Sequence, residues 1–322
     1  MLSSLFLSLL AFPCAVAPLK AVPEIIYQAT YNGSWLENLA VTSCNKILAT
    51  RLDVAELWLI DPDNKAAVVK LHSFPNANGV TGITEIRKNV FAMAVMTIDL
   101  ATATVAPNSS FIWTVDISDE KDPIITLLKS ISDISFANGL TTWDNNTFLI
   151  SDSVQGAVYS MDSRTGAHRM VVQDATMAPA VNSAANIGIN GIKRFGNYMY
   201  YTCSTKGLFA RVPLMHFQGI ITATGPVEIL ASGVFMDDFT ITSDGTAFIA
   251  GNFNQDLFEL PLGGQLSIFA GASTSLDVAG CTSVGLSKDR RELFVATSGA
   301  SANPVNGTVI EPAKILKFIL GK

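Results

Sequence analysis

Histidine and cysteine are scarce in this sequence, three and four residues in 322. No CxxC spacing occurs, which argues against a structural zinc or a thiol redox centre. Charge is scarce too, at 15% of residues with a net −6. No basic stripe is left for phosphates, so nucleic acid is excluded as a partner. The common hydrolase, zincin, P-loop and dinucleotide signatures (GxSxG, HExxH, GxxxxGKS/T and GxGxxG) are all missing. A Ser-His-Asp relay is correspondingly disfavoured. Apolar side chains, by contrast, are in excess at 49%, the opposite of a disordered composition.

Residues 1–17 absorb part of that excess. An apolar run (Leu5, Phe6, Leu7, Leu9, Leu10) ends in Ala15-Val16-Ala17, the small-x-small pattern of a secretory cleavage site. Pro13 and Pro18 interrupt it, and a membrane anchor would need about 20 continuous apolar residues. No later run is long enough, so a secreted protein with no membrane partner is expected. Asn-x-Ser/Thr acceptors at Asn32, Asn108, Asn145 and Asn306 agree with N-glycosylation on that route. Loss of the leader removes Cys14 and leaves Cys44, Cys203 and Cys281, which permit at most one disulfide.

The remaining apolar content is organised as a repeat. Strand-like segments beginning at Leu57, Phe111, Val158, Leu208, Leu257 and Ile315 recur at a period of roughly 50 residues, separated by Gly, Asn, Asp and Pro turns. Six such units read as four-stranded blades, and no 3.6-residue periodicity competes. The expected architecture is all-β: one six-bladed β-propeller over residues 18–322, a monomer, with the segment 24–30 completing the sixth blade beside 315–320. Blades packed face to face bury both surfaces of each sheet, which gives the surplus apolar residues a place.

Upstream of each strand repeat lies a second one. Glu37, Thr81, Asn138, Asn190, Asp237 and Thr282 each precede an apolar strand at equivalent points. If these strands are innermost, the six side chains converge on one face of the axis and form the candidate catalytic ring. Two carboxylates and two carboxamides are hard oxygen donors, suited to one axial Ca²⁺ or Mg²⁺ held by Glu37, Asn138, Asn190 and Asp237. Such an ion could polarise a lactone or ester carbonyl. Without a metal, the same groups would floor a pocket walled by Trp35, Phe136, Trp143, Phe235 and Met236, suited to an apolar small molecule with a polar head. Propeller channels are wet, so polar lining without chemistry is the third reading. His72, His168 and His216 fall away from the ring in sequence, although His72 could reach it from a connecting loop.

The blocks Phe136-Ala137-Asn138-Gly139-Leu140 with Ile150-Ser151-Asp152-Ser153, Gly188-Ile189-Asn190-Gly191-Ile192, and Asp237-Asp238-Phe239-Thr240 with Asp244-Gly245-Thr246-Ala247 resemble the regucalcin/gluconolactonase group of six-bladed propellers. That resemblance implies an axial divalent cation on Glu37, Asn138, Asn190 and Asp237. Asn38 and Asp238 depart from it, since the family has Gly at both points. The secreted, sequon-bearing texture is similar to a fungal branch that includes hetero-Diels–Alderases of secondary metabolism, which join a tropolone quinone methide to a humulene-type sesquiterpene. It implies a cyclase that needs no cofactor, with Glu37 or Asp237 moving protons, Asn138, Asn190, Thr81 and Thr282 holding an oxygen edge, and aromatic walls aligning the reactants. A metal-dependent lactonase or esterase and a non-catalytic ligand-binding propeller stay open beside it.

Overall fold

The computed structural model describes residues 22–321; the expected leader lies outside them. Among the described residues, twenty-seven strands and one short 3-10 turn make up the regular structure. Six antiparallel sheets form the blades, and a two-stranded hairpin, Ile98–Asp99 with Thr104–Val105, is inserted into the second. The innermost strands are Leu36–Val41, Gly79–Arg87, Ala137–Thr142, Ile189–Phe195, Phe239–Ile241 and Cys281–Leu286. The six-bladed expectation holds.

Glu24–Gln28 closes the ring. It pairs antiparallel with Lys314–Ile319 as the outermost strand of blade six, from Glu24 opposite Lys317 to Gln28 opposite Lys314. Closure hides the edges that an open sheet would leave unpaired. Blade four is extended, its third strand running over Leu208–Phe217 and turning back through Ile220–Ala223.

The core lies between blades, as the apolar excess requires. Leu140, Phe148 and Ile150 of blade three pack with Ala92, Ala94 and Ile112 of blade two. Hydroxyls add a second tie at the axis by bonding the next blade's backbone. Thr50 donates to the Thr81 carbonyl (2.8 Å), Ser151 to that of Asn190 (2.7 Å) and Thr202 to that of Asp237 (2.5 Å). Each satisfies a buried carbonyl that would otherwise lose its water partner. Cys44 is exposed, Cys203 and Cys281 are buried, and all three are free.

Candidate active site

The ring residues reach the axis through a repeated irregularity. Pairing between the first and second strands of a blade skips at Leu36/Asn38, Val80/Ile83, Ala137/Leu140, Ile189/Ile192 and Cys281/Ser283. Glu37, Thr81, Asn138, Asn190 and Thr282 fall in these skips. A bulge releases its extra residue from the ladder and re-aims the side chain. In blade five the two aspartates precede the strand, and the Asp237 N–H donates to the Ala250 carbonyl at 2.8 Å. Inner backbones crowd together here: a Cβ on Gly139 would lie 2.4 Å from the Asn190 carbonyl oxygen, and one on Gly191 2.3 Å from an Asp238 carboxylate oxygen.

Four of the six ring residues share a pocket of about 520 Å³: Glu37, Asn138, Asn190 and Asp237, joined by Asn252. Trp35 Nε1 donates to Glu37 Oε2 at 2.6 Å. Asp237 accepts from Asn190 Nδ2 at 2.7 Å and Asn252 Nδ2 at 2.8 Å. Asn138 Nδ2 donates to Ser153 Oγ, and Asn190 Nδ2 also to Ser204 Oγ. With the amide N–H groups engaged in this way, the carboxamide oxygens are left for the pocket.

Thr81 and Thr282 do not join this floor. Both are fully buried, and their hydroxyls donate to the carbonyls of Ala137 (2.8 Å) and Leu36 (2.6 Å) in the next blade. Here they are interblade ties rather than holders of a ligand's oxygen edge. Trp35, Phe136 and Phe235 wall the pocket as expected, with Phe253 in addition. Trp143 and Met236 do not. Arg194 covers the Trp143 ring at 4.3 Å, away from the axis, and Met236 is buried in the blade core with Phe239 and Ile249. His72 does not reach the ring either; it packs on Phe74 and Trp113. His168 and His216 pair with Asp133 and Asp144.

Beneath the floor is a second polar layer. Asp238 accepts from Asn38 Nδ2 and Ser283 Oγ, each at 3.0 Å, and from Lys193 Nζ at 2.7 and 2.9 Å. Asn38, Asp238 and Ser283 stand where blades two to four carry Gly82, Gly139 and Gly191. They fill one half of the axis and face the glycines of the other.

Three carboxylates therefore meet one ammonium. Burial lifts the Glu37 carboxyl to about 7, helped by the charge of Asp238 and opposed by the Trp35 hydrogen bond. Asp237 is also raised well above its ordinary range, by burial first and by the Glu37 charge second. Burial disfavours the charged form of both acids, and the charge of Glu37 further disfavours ionisation of Asp237, so the pair retains a proton near neutrality. A divalent cation would offset the same excess charge. Among the described residues no cluster of three or more His, Cys, Asp or Glu is arranged for a metal, but the donor set is hard oxygen and includes carboxamides. Glu37, Asn138, Asn190 and Asp237 fit such an ion chemically.

No protein-family model matches the chain. A curated protein of Sarocladium schorii, whose assignment as a hetero-Diels–Alderase is itself provisional, is 22% identical over 294 residues, covering 79% of this chain and 71% of that one. Among solved structures, a luciferin-regenerating enzyme aligns with a TM-score of 0.59 at 12% identity, covering 95% of this chain and 94% of that one. A streptogramin B lyase gives 0.57 at 10%, with 94% and 99% covered. The PQQ-bound aldose sugar dehydrogenase of Streptomyces coelicolor gives 0.56 at 13%, with 93% and 98%. These structural likenesses extend to the fold; the sequence relative suggests an enzyme.

Proposed function

We propose that the axial pocket is the active site of a ring-forming enzyme of the hetero-Diels–Alderase type, joining a tropolone-derived quinone methide to the alkene of a humulene-type sesquiterpene. The observation that carries this reading is a proton-retaining carboxyl pair, Glu37 and Asp237, at the bottom of a pocket walled by Trp35, Phe136, Phe235 and Phe253. A carboxyl raised to about 7, as Glu37 is, suits general acid–base work. The pair delivers a proton to the hydroxymethyl oxygen of the tropolone as the C–O bond breaks and water leaves. It then takes one proton from the ring hydroxyl and returns to its starting state. The resulting heterodiene adds to the alkene, forming one C–C and one C–O bond with no further proton or electron transfer. For that step the chain contributes alignment, worth several kcal/mol, and exclusion of the water that would re-add to the quinone methide.

Incubating the protein with a hydroxymethyl tropolone and humulene tests the assignment. The expected result is an adduct formed faster than without protein, lost in Glu37→Gln and retained in chelator. Adduct formation no faster than the uncatalysed rate overturns it.

The oxygen donor set supports a second reading, a divalent-metal-dependent lactonase or esterase. Glu37, Asn138, Asn190 and Asp237 would hold the ion, which would polarise the substrate carbonyl when bound. Lactone hydrolysis abolished by chelator and restored by Ca²⁺ or Mg²⁺ would select it. We also place the protein in the secretory pathway; all four acceptor asparagines are exposed, which supports glycosylation there. A mass decrease on enzymatic deglycosylation of the secreted protein would demonstrate it.

A further inference from the structure

The axial pocket is built from two materials. Its lower part is aromatic: Trp35, Phe136 and Phe235 each stand two residues before a floor residue, Glu37, Asn138 and Asp237. Trp35 Nε1 donates to Glu37 at 2.6 Å, and Phe136 and Phe235 line the same pocket as Asn138 and Asp237. Phe253 packs on Phe235 with ring centroids 4.5 Å apart. The space between is flat-walled and ends on hydrogen-bonding groups.

The rim is different. It comes from three connections rather than from blade strands: the inserted hairpin of blade two, the chain leading into Ile189–Phe195, and the loop after Glu292–Thr297. Five of its lining residues are alanines, Ala101, Ala103, Ala184, Ala185 and Ala302, with Leu100 and Ile187 adding aliphatic surface. At the same mouth a Cβ on Gly33 would meet nothing within 4 Å. The hairpin is also held in place. Asn78 clamps both backbone groups of Ile98, its Oδ1 accepting the N–H at 2.7 Å and its Nδ2 donating to the carbonyl at 2.9 Å. Ile98 itself is buried at the hairpin base.

From this division, and resting on the ring-closure reading, we infer that the pocket has two compartments with separate specificities. The aromatic lower compartment takes a flat, conjugated, oxygen-bearing reactant, and the alanine rim takes a bulky hydrocarbon and sets how large it can be. Small side chains on fixed loops create a volume that is both apolar and wide, and a hydrocarbon without hydrogen-bonding groups requires no more of its site. The rim alanines are therefore specificity-determining, although they lie away from the acid pair.

Binding measurements with two probes, tropolone and humulene, read the compartments without requiring turnover. Ala101→Phe/Ala185→Phe places bulk at positions that are not buried, and an unchanged melting temperature shows that the fold is kept. This variant is expected to weaken humulene about tenfold or more while tropolone stays within about twofold. Trp35→Ala is expected to do the reverse. The inference is overturned if the rim variant weakens both probes equally, or leaves humulene binding intact. If both probes bind wild type and separate as expected yet no adduct forms, the compartments stand and the ring-closure reading falls.

Discussion

Asp237 and Asp238 are adjacent in the chain, equally removed from water, and opposite in their surroundings. Asp238 is met by a lysine, a carboxamide and a hydroxyl drawn from three other blades. Asp237 receives two carboxamides and no cation, and faces a second acid across the floor. Burial alone thus does not decide what a carboxylate does; the partners do. Paired with an ammonium, it becomes a plug that closes half of the axis beneath the pocket. Paired with neutral donors and another acid, it retains a proton that chemistry can use.

The largest effect is expected from breaking the lower pair. Lys193→Met leaves Asp238 without its cation and should destabilise the fold by about 3 kcal/mol, the low end for a buried pair because the lysine is partly exposed. Thermal or denaturant unfolding reads this loss, and adding Asp238→Asn should recover most of it. The upper pair should respond in the opposite sense. The raised carboxyl of Glu37 costs nothing below pH 4.5, its ordinary value; the cost grows as pH rises to about 7 and is full above that. Glu37→Gln should therefore leave stability unchanged near pH 4 and increase it by up to about 3 kcal/mol at pH 8, while abolishing turnover. A variant equally stable or less stable than wild type at pH 8 would show that the acid is not penalised by burial.

Smaller effects sharpen the contrast between floor and ties. Thr282→Val leaves the Leu36 carbonyl without its donor and should cost about 1–2 kcal/mol in stability with activity kept; lost activity at unchanged stability would return Thr282 to the substrate. Trp35→Phe removes the hydrogen bond that holds Glu37 down, so the acidic group should titrate above its wild-type value of about 7, with little change in folding. A downward movement in the pH–rate profile would contradict that.

The fold was legible because each blade repeats one pattern, and the ring because its residues sit at the same bulge in five of the six blades. Less was legible where a neighbour decides the role. Thr81 and Thr282 hold the same repeat position as Glu37, yet a hydroxyl is short and reaches the adjacent carbonyl first. Parity would have corrected Met236, which is one residue before Asp237 and so points into its blade. Trp143 follows the inner strand of blade three and stands at its far end. Asn252 belongs to the 3-10 turn Asn252–Asn254 between the second and third strands of blade five, a position outside the repeat and without a sequence signal of its own.

The closing strand has a consequence for how this molecule is made. Glu24–Gln28 leaves the ribosome among the earliest described residues, but its partner Lys314–Ile319 is synthesised almost 290 residues later. Through nearly all of translation this outer strand of the sixth blade waits without the three strands it will join, and the ring is open. Contacts this distant in sequence form slowly, so the meeting of the first described strand with the last is expected to be a late step in folding.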